Sequence, residues 1–373
     1  MAEKWAVANG NWSSDSTWNG STKPQAGDVV YANGFNVTID EDATVLQIRT
    51  DNTGATAVEG GTFGTLGSVT ITADVYAGRT DGITINSGGT LVGDSYGSQY
   101  DVGEYGARIQ DGGHQIGDSF GGAAVASYGT YCLQGGHQTG NSAGGTSTGA
   151  YGTFCTAGGY QIGNSVGGST STSYGTFCQS GGYQIGDSTG ASGSSASGTV
   201  CQTGGFQLGN SFAGSANNSR GTTCISGGYQ IGNSSGGSVL GSSGTFCDNF
   251  GYQIGDSTGG STSGSYGTLI EDGGYQIGNC VGGSASGAYG TYSTAGYQVV
   301  GAITDNAGNG CFGSSAFYYF LNGLSISDVD GTPNTTMSEL DDWLVHREHL
   351  WSHIFNASGG LSLPFIGPGG LVY

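Results

Sequence analysis

Short stretches of alternating apolar and polar residues return at a fixed spacing through the middle of the chain. One copy holds two of them, Tyr160-Gln161-Ile162 and Thr176-Phe177-Cys178, and Gln115 returns as Gln138, so the period is 138 − 115 = 23. Alternation with a period of two, bounded by Gly, Ser and Asn, predicts β-strands. Helical solenoids need longer runs of good helix formers, whereas every copy carries at least four Gly. The pattern therefore predicts an all-β chain, a right-handed parallel β-helix or solenoid with rungs of about 23 residues.

Stacked rungs place equivalent residues above one another at ~4.8 Å, so each column becomes a ladder. The Gln column has no exception over eight close copies and consists of Gln115, Gln138, Gln161, Gln184, Gln207, Gln230, Gln253 and Gln276. Six of the eight Cys form a second column, namely Cys132, Cys155, Cys178, Cys201, Cys224 and Cys247. Asp118, Asp187 and Asp256 lie in a third column, where the other copies carry Asn. We expect structural ladders in a rod of about nine or ten rungs.

The Asp and Cys columns each admit a second interpretation. Glycine-rich repeats with Asp occur in calcium-binding proteins, but calcium needs several converging carboxylates, and here two Asn separate successive Asp residues. Cα atoms ~4.8 Å apart suit a disulfide, although parallel stacking gives an awkward Cβ direction. No Cys or His spacing typical of zinc is present. We expect free buried thiols and no metal or cofactor, with disulfides between adjacent rungs as the alternative in oxidising surroundings.

The two faces of the Thr-Phe-Cys strand differ in character. Thr and Cys share one face, and Cys favours the interior of a coil. The opposite face carries a mostly apolar column, namely Tyr131, Phe154, Phe177, Val200, Thr223, Phe246, Leu269 and Tyr292. Strands that are apolar on both faces are usually covered on both sides. We therefore expect coils to pack side by side in a homotrimer.

Different sequences flank the repeats. Residues 1–60 predict an N-terminal β cap or attachment region, residues 61–300 the solenoid, and residues 301–373 a C-terminal docking region. Thr336 and Glu339 match a capping box, which predicts one α-helix over about 337–356. An apolar stripe follows that helix and consists of Leu340, Trp343, Leu344, Leu350, Trp351, Ile354 and Phe355. We expect this region to dock against another subunit.

The composition limits the classes of function and partner that the chain can have. The formal net charge is −20, and only 7 residues are Lys or Arg, so nucleic acid and anionic membranes are poor partners. No apolar run is long enough for a transmembrane helix, and the first residues lack the pattern of a secretory signal. Carboxylates that could cleave a polysaccharide within the repeats are Asp111, Asp248, Glu271 and Asp272, yet the sequence predicts no facing pair among them. We expect no enzymatic activity and no catalytic residue.

The N-terminal block resembles a known kind of segment. Its order of Trp12-Ser13, Thr17-Trp18-Asn19-Gly20, Gly27-Asp28 and Val37-Thr38-Ile39-Asp40 resembles the start of β-helical regions in many bacterial surface adhesins and bacteriophage virion proteins. The repeats resemble phage fibre and spike shafts in style. The resemblance implies a structural protein of the phage particle, a tail fibre, spike or head-decoration protein, whose partners are its own copies, other virion proteins and a host-surface glycan. The alternatives are a bacterial cell-surface adhesin and a polysaccharide-degrading tailspike.

Overall fold

A computed structural model gives the fold of the chain. It describes residues 2–51, 60–86, 88–100, 102–170, 172–190, 192–272 and 274–293, together with strands between residues 296 and 320. These residues lie within one structural unit, Met1–Gly323. The predicted helix at 337–356, with Leu340, Trp343, Leu344, Leu350, Trp351, Ile354 and Phe355, lies outside the described residues.

The described part of the chain is built from short strands. The strands before the regular repeats are β1 (Glu3–Trp5), β2 (Gly10–Asn11), β3 (Val29–Tyr31), β4 (Asn36–Ile39), β5 (Ala43–Arg49), β6 (Thr62–Thr65), β7 (Thr70–Tyr76), β8 (Ile83–Ile85), β9 (Thr90–Val92), β10 (Ser95–Tyr96) and β11 (Tyr105–Ile109). The strands of the repeats are β12 (His114–Ile116), β13 (Ser119–Phe120), β14 (Tyr128–Cys132), β15 (His137–Thr139), β16 (Ser142–Ala143), β17 (Tyr151–Thr156), β18 (Tyr160–Ile162), β19 (Ser165–Val166), β20 (Thr176–Gln179), β21 (Tyr183–Ile185), β22 (Ser188–Thr189), β23 (Ser197–Gln202), β24 (Phe206–Leu208), β25 (Ser211–Phe212), β26 (Arg220–Ile225), β27 (Tyr229–Ile231), β28 (Ser234–Ser235), β29 (Ser243–Asp248), β30 (Tyr252–Ile254), β31 (Ser257–Thr258), β32 (Tyr266–Ile270), β33 (Gly274–Ile277) and β34 (Cys280–Val281). The strands that follow are β35 (Thr291–Ser293), β36 (Gly296–Val300), β37 (Ile303–Thr304), β38 (Cys311–Gly313) and β39 (Tyr318–Phe320). Two short 3-10 helices, Asp15–Thr17 and Asn19–Ser21, lie between β2 and β3.

The strands form two parallel sheets, and this arrangement confirms the predicted parallel β-solenoid. Each repeat contributes a Gln strand, such as β18, and a Ser strand, such as β19, to a 25-stranded sheet. It contributes a Cys strand, such as β20, to a 14-stranded sheet. Equivalent residues pair in register, for example Gln161 with Gln184 and Cys155 with Cys178. Fourteen strands at ~4.8 Å span roughly 60 Å, which is longer than the nine or ten rungs of the repeats alone.

Stacking already begins at the third residue. Glu3 pairs with Val29, and Val29 pairs in turn with Gln47. Residues 1–60, predicted as a cap, therefore contribute strands to the same two sheets. Trp12 and Trp18 fill the first turns: both rings are buried, 5.0 Å apart between centroids, and the Trp18 indole N–H donates to the Trp12 carbonyl at 2.9 Å.

The corner between the Gln strand and the Ser strand depends on glycine. Gly163 has φ +142, and a Cβ there would overlap the backbone carbonyl of Gly140 one rung away. The equivalent Gly186 and Gly209 are in the same situation, against Gly163 and Gly186 respectively. Only glycine allows this backbone conformation together with such a close approach of neighbouring rungs. The high Gly content is thus a consequence of the stack.

Candidate functional site

The interior of the repeats is a closed polar ladder. The eight predicted Gln residues are all fully buried. Each side-chain amide donates to the carbonyl of the corner glycine one rung away, as Gln184 Nε2 does to Gly163 at 2.6 Å. Amide ladders of this kind satisfy buried donors along the whole stack. The Gln column therefore holds rungs together and is not accessible to a ligand.

Pairs of hydroxyl groups, which were not predicted from the sequence, complete this interior. Ser142 Oγ lies 2.6 Å from Thr153 Oγ1, and Ser188 Oγ lies 2.6 Å from Thr199 Oγ1. The same pairing recurs in five further rungs, as between Ser257 and Thr268. The signal was present as a Thr column and a Ser column that is broken only at Cys280, but small hydroxyl residues also occur throughout the loops. Their partners become evident only when the two sheets face each other.

The Cys column lies inside the coil as free thiols. Cys132, Cys155, Cys178, Cys201, Cys224 and Cys247 are all buried and unpaired by disulfides. Burial raises the pKa of the Cys132, Cys155, Cys201 and Cys247 thiols well above the usual value. A buried neutral thiol behaves as a small apolar side chain. The column thus forms the apolar strip of an otherwise polar interior.

The Asp and Asn column forms an external ladder. Each side-chain oxygen accepts the backbone N–H of the next rung, as Asp187 Oδ1 does from Asn210 at 2.9 Å and Asn210 Oδ1 from Asn233 at 3.1 Å. The ladder continues upstream of the repeats, where Asp74 and Asp94 precede Asp118 on successive rungs. The spacing of three rungs between carboxylates is therefore a property of the repeats alone. Within the described residues, no group of three or more potential ligands converges on a metal position.

The outer face of the 14-stranded sheet carries two interleaved aromatic columns, which we call the aromatic face. One column consists of Tyr105, Tyr128, Tyr151 and Tyr174, and the other of Tyr131, Phe154 and Phe177. Rings of the two columns stack, as Tyr151 does on Phe177 at 5.5 Å between centroids. These rings are half-buried by one another. The predicted outward column is thus covered in part by its own chain.

The aromatic face is interrupted in the middle of the stack. Its tyrosine column continues as Ser197, Arg220 and Ser243 before Tyr266 restores it. Arg220 is the only Lys or Arg between residues 109 and 346. Its guanidinium carbon lies 3.7 Å from the centroid of the Phe246 ring on the next rung. Burial lowers the pKa of Arg220, and the nearby Glu271, Tyr174 and Asp248 act in the opposite direction.

Two of the four carboxylates weighed from the sequence meet beside this arginine. Ile225 pairs with Asp248, and the Glu271 N–H donates to the Cys247 carbonyl at 2.8 Å, which places Glu271 one rung from Asp248. This pair is not evident from the sequence, because its members lie a whole repeat apart along the chain. Asp111 and Asp272 instead occupy turns, with φ of 53 and 40. We call Arg220, Ser243, Phe246, Asp248 and Glu271 the Arg220 site.

The Arg220 site contains polar atoms that the protein leaves unpaired. Ser243 is fully buried, and its Oγ has no hydrogen-bond partner. Asp248 Oδ1 is likewise buried without a partner. Among the described residues, no direct ion pair joins Arg220 to Asp248 or Glu271. Unpartnered buried atoms also occur elsewhere, as at Oε1 of Gln138, Gln161, Gln184 and Gln207, and Asp248 is the one carboxylate among them in the described residues.

The 25-stranded sheet presents a second outer surface. Beside a stacked column of rings such as Phe206 and Tyr229, at 4.7 Å between centroids, the Gln strands expose Ile116, Ile162, Ile185 and Leu208, each 39–46% accessible. We call these four residues the aliphatic stripe. It is the most exposed regular apolar feature of the repeats that the structure describes.

Comparisons with protein-family models, with curated proteins and with solved structures each give no match. Within the described residues, no helix has the length and apolar character needed to cross a bilayer.

Proposed function

We propose that this chain is a non-enzymatic structural component of a phage particle, the shaft of a tail fibre, spike or head-decoration protein on the virion surface. The observation that carries the proposal is the stacking of two parallel sheets, whose described strands begin with Glu3–Trp5 and end with Tyr318–Phe320. Every rung of the repeats is bonded to the next through backbone, Gln and Asn or Asp ladders. Such a stack is stiff along its axis, which suits an extended appendage.

The aliphatic stripe supports association of several copies. The stripe places one apolar side chain on each successive rung, as at Ile162, Ile185 and Leu208. The stripe of a second copy has the same spacing, so parallel copies can match it rung for rung. We propose that three copies pack through this stripe, with the aromatic face left free. The proposed association surface therefore lies on the 25-stranded sheet, whereas the column around Phe154, from which association was predicted, lies on the 14-stranded sheet.

The oligomeric state is tested by light scattering coupled to size exclusion. The wild-type protein should have three times the mass of one chain. Ile185→Thr combined with Leu208→Thr should shift the protein towards the monomer, because both residues lose exposed apolar area while Thr139 is the natural occupant of that column. Leu269→Thr is the matched control on the other sheet, where Thr223 is a natural occupant. A monomeric wild-type protein contradicts the trimer.

Negative-stain microscopy with an antibody against residues 1–50 tests whether the protein belongs to a phage particle. Labelled heads or tails of purified phage support the proposal and distinguish the two positions. Labelled bacterial envelopes together with unlabelled particles overturn it and favour the cell-surface adhesin. Both outcomes are independent of the oligomeric state.

A further inference from the structure

We propose that the Arg220 site binds an uncharged or amino-sugar oligosaccharide, an inference that rests on the proposed function by giving the shaft a position for host-surface contact. Several departures from the repeat coincide there. The tyrosine column is replaced over three rungs, the only Lys or Arg between residues 109 and 346 lies in the gap, and two carboxylates lie on adjacent rungs. None of these changes is needed to form a turn of the solenoid, because the neighbouring repeats form their turns without them.

The carboxylates set the first chemical requirement. In the other Cys strands, the position of Asp248 is taken by uncharged residues such as Gln179, Gln202 and Ile225. Asp248 and Glu271 are ~4.8 Å apart along the ladder, where like charges destabilise each other. Asp248 Oδ1 has no donor within the protein. Both carboxylates are partly accessible, so a ligand with neighbouring hydroxyl groups supplies donors to their exposed oxygens.

The arginine and the buried hydroxyl set the second requirement. Arg220 stacks on Phe246 at 3.7 Å, and this stacking holds the guanidinium plane in place. Ser243 Oγ, next to Arg220 in the same column, also lacks a partner. Ser243 itself is closed to solvent, so Arg220 and the two partly accessible carboxylates are the donors and acceptors that the site offers to a ligand. Sugar hydroxyls and ring oxygens use both kinds of group.

A strained aromatic residue supplies the third observation. Asn249 and Phe250 have φ of 46 and 63, at a turn where other copies carry Gly at the second position, as Gly227 does. A bulky residue rarely adopts this conformation, and backbone strain tends to be retained at functional sites. The Phe250 side chain is 58% exposed and lies two residues from Asp248. An exposed ring suits the apolar C–H face of a sugar.

Charge excludes the competing ligands. Two carboxylates in a chain of net charge −20 repel phosphates, nucleic acids and acidic polysaccharides. Proteins usually recognise small ligands through a few convergent polar groups beside an apolar surface, which is the composition of this site. A neutral or amino-sugar oligosaccharide meets all three requirements.

The experiment uses the full-length protein on an array of purified bacterial surface polysaccharides and their oligosaccharide fragments. The wild type should bind at least one neutral or amino-sugar glycan. Asp248→Asn combined with Glu271→Gln should weaken that binding by about tenfold or more, because it removes both charged acceptors. Asp187→Asn is the matched control, since Asn occupies the same ladder in Asn164 and Asn210. Its binding should equal that of the wild type.

The variant Phe250→Gly separates a loss of binding from a loss of folding. It relieves the strained turn and should raise the thermal midpoint while weakening glycan binding several-fold. Absence of binding to every glycan, or equal binding by the wild type and the double variant, overturns the site and leaves the structural shaft intact. Shortening of a bound polysaccharide by the wild type would overturn the non-enzymatic function instead. The two failures are therefore distinguishable.

Discussion

The first turns of the solenoid and the repeats reach the same stack with opposite interiors. In the first turns, the large buried side chains are apolar and irregularly spaced, including Ile39, Ile48, Phe63 and Ile71. In the repeats, the interior consists of Gln, Ser and Thr ladders beside the Cys column. A β-solenoid can thus be filled either by dispersion packing or by hydrogen-bond ladders, and the two solutions impose different rules on the sequence.

Turn length shows the difference most directly. In the first turns, Val29 pairs with Gln47 and Ala43 pairs with Ile71, so the separation changes from 47 − 29 = 18 to 71 − 43 = 28. In the Asp and Asn column of the repeats, the separation of hydrogen-bonded partners is 23 throughout. Apolar side chains pack against many shapes, so turn length can vary. A hydrogen-bond ladder needs its partner at one position on every rung, which favours a constant turn length, although the ladder also tolerates the separations of 20 and 24 residues between Asp74, Asp94 and Asp118.

The largest expected effect comes from placing a charge in the polar interior. Gln184→Glu replaces a buried amide donor with a carboxylate that faces the Gly163 carbonyl. Burying an uncompensated charge should cost about 3–5 kcal/mol in the free energy of unfolding. The matched control is Asn164→Asp on the exposed ladder, which should cost less than about 1 kcal/mol. Urea denaturation measures both. Equal losses would contradict a closed interior.

Truncating side chains in the two interiors should show which of them depends on apolar packing. Ile71→Ala leaves a cavity among the buried apolar side chains of the first turns and should cost about 2–5 kcal/mol. Cys155→Ala removes a single sulfur from a ladder-bonded rung and should cost about 1 kcal/mol. The free energy of unfolding from urea titrations gives both values. A larger loss for the thiol variant would show that the repeats also rely mainly on apolar packing.

Alkaline pH should weaken the fold, because buried thiols of the Cys column and several partly buried tyrosines lose their protons less readily in the folded chain. Burial raises the pKa of thiols such as Cys155 and raises the pKa of Tyr252 to about 12. Unfolded thiols and phenols ionise near pH 8.5 and 10, so the unfolded state loses protons that the folded state retains. Stability is therefore intact below about pH 8.5 and falls as pH rises.

Urea midpoints at pH 7, 8.5 and 10 measure this loss of stability. Cys155→Ala combined with Cys201→Ala should reduce the decrease, since two of the groups no longer titrate. An unchanged midpoint at pH 10 would contradict the raised pKa values.

The smallest effect concerns a turn in the repeats. Ala157 has φ 49 and precedes Gly158 with φ 81. Asn tolerates this conformation better than Ala, so Ala157→Asn should stabilise the fold by about 0.5 kcal/mol. Thr156→Asn, in the adjacent strand, is the control and should give no gain. Thermal midpoints distinguish the two variants.

The sequence by itself determined the rung. Its strict columns predicted parallel stacking, the burial of Cys132 and its equivalents, and the structural role of the Gln and Asp columns. Each copy of the repeat encodes the same strands and the same corner glycines. The fold therefore follows from stacking identical units.

Only the tertiary structure decided what the columns face and what meets between rungs. It placed Gln161 and its equivalents inside, showed that residues before the repeats stack in the same sheets, and revealed the exposed apolar surface at Ile162, Ile185 and Leu208. It also brought Asp248, Glu271 and Arg220 together. The physical reason is that neighbours in a solenoid are one turn apart in sequence. A departure confined to a few rungs becomes a cluster only when those rungs are stacked.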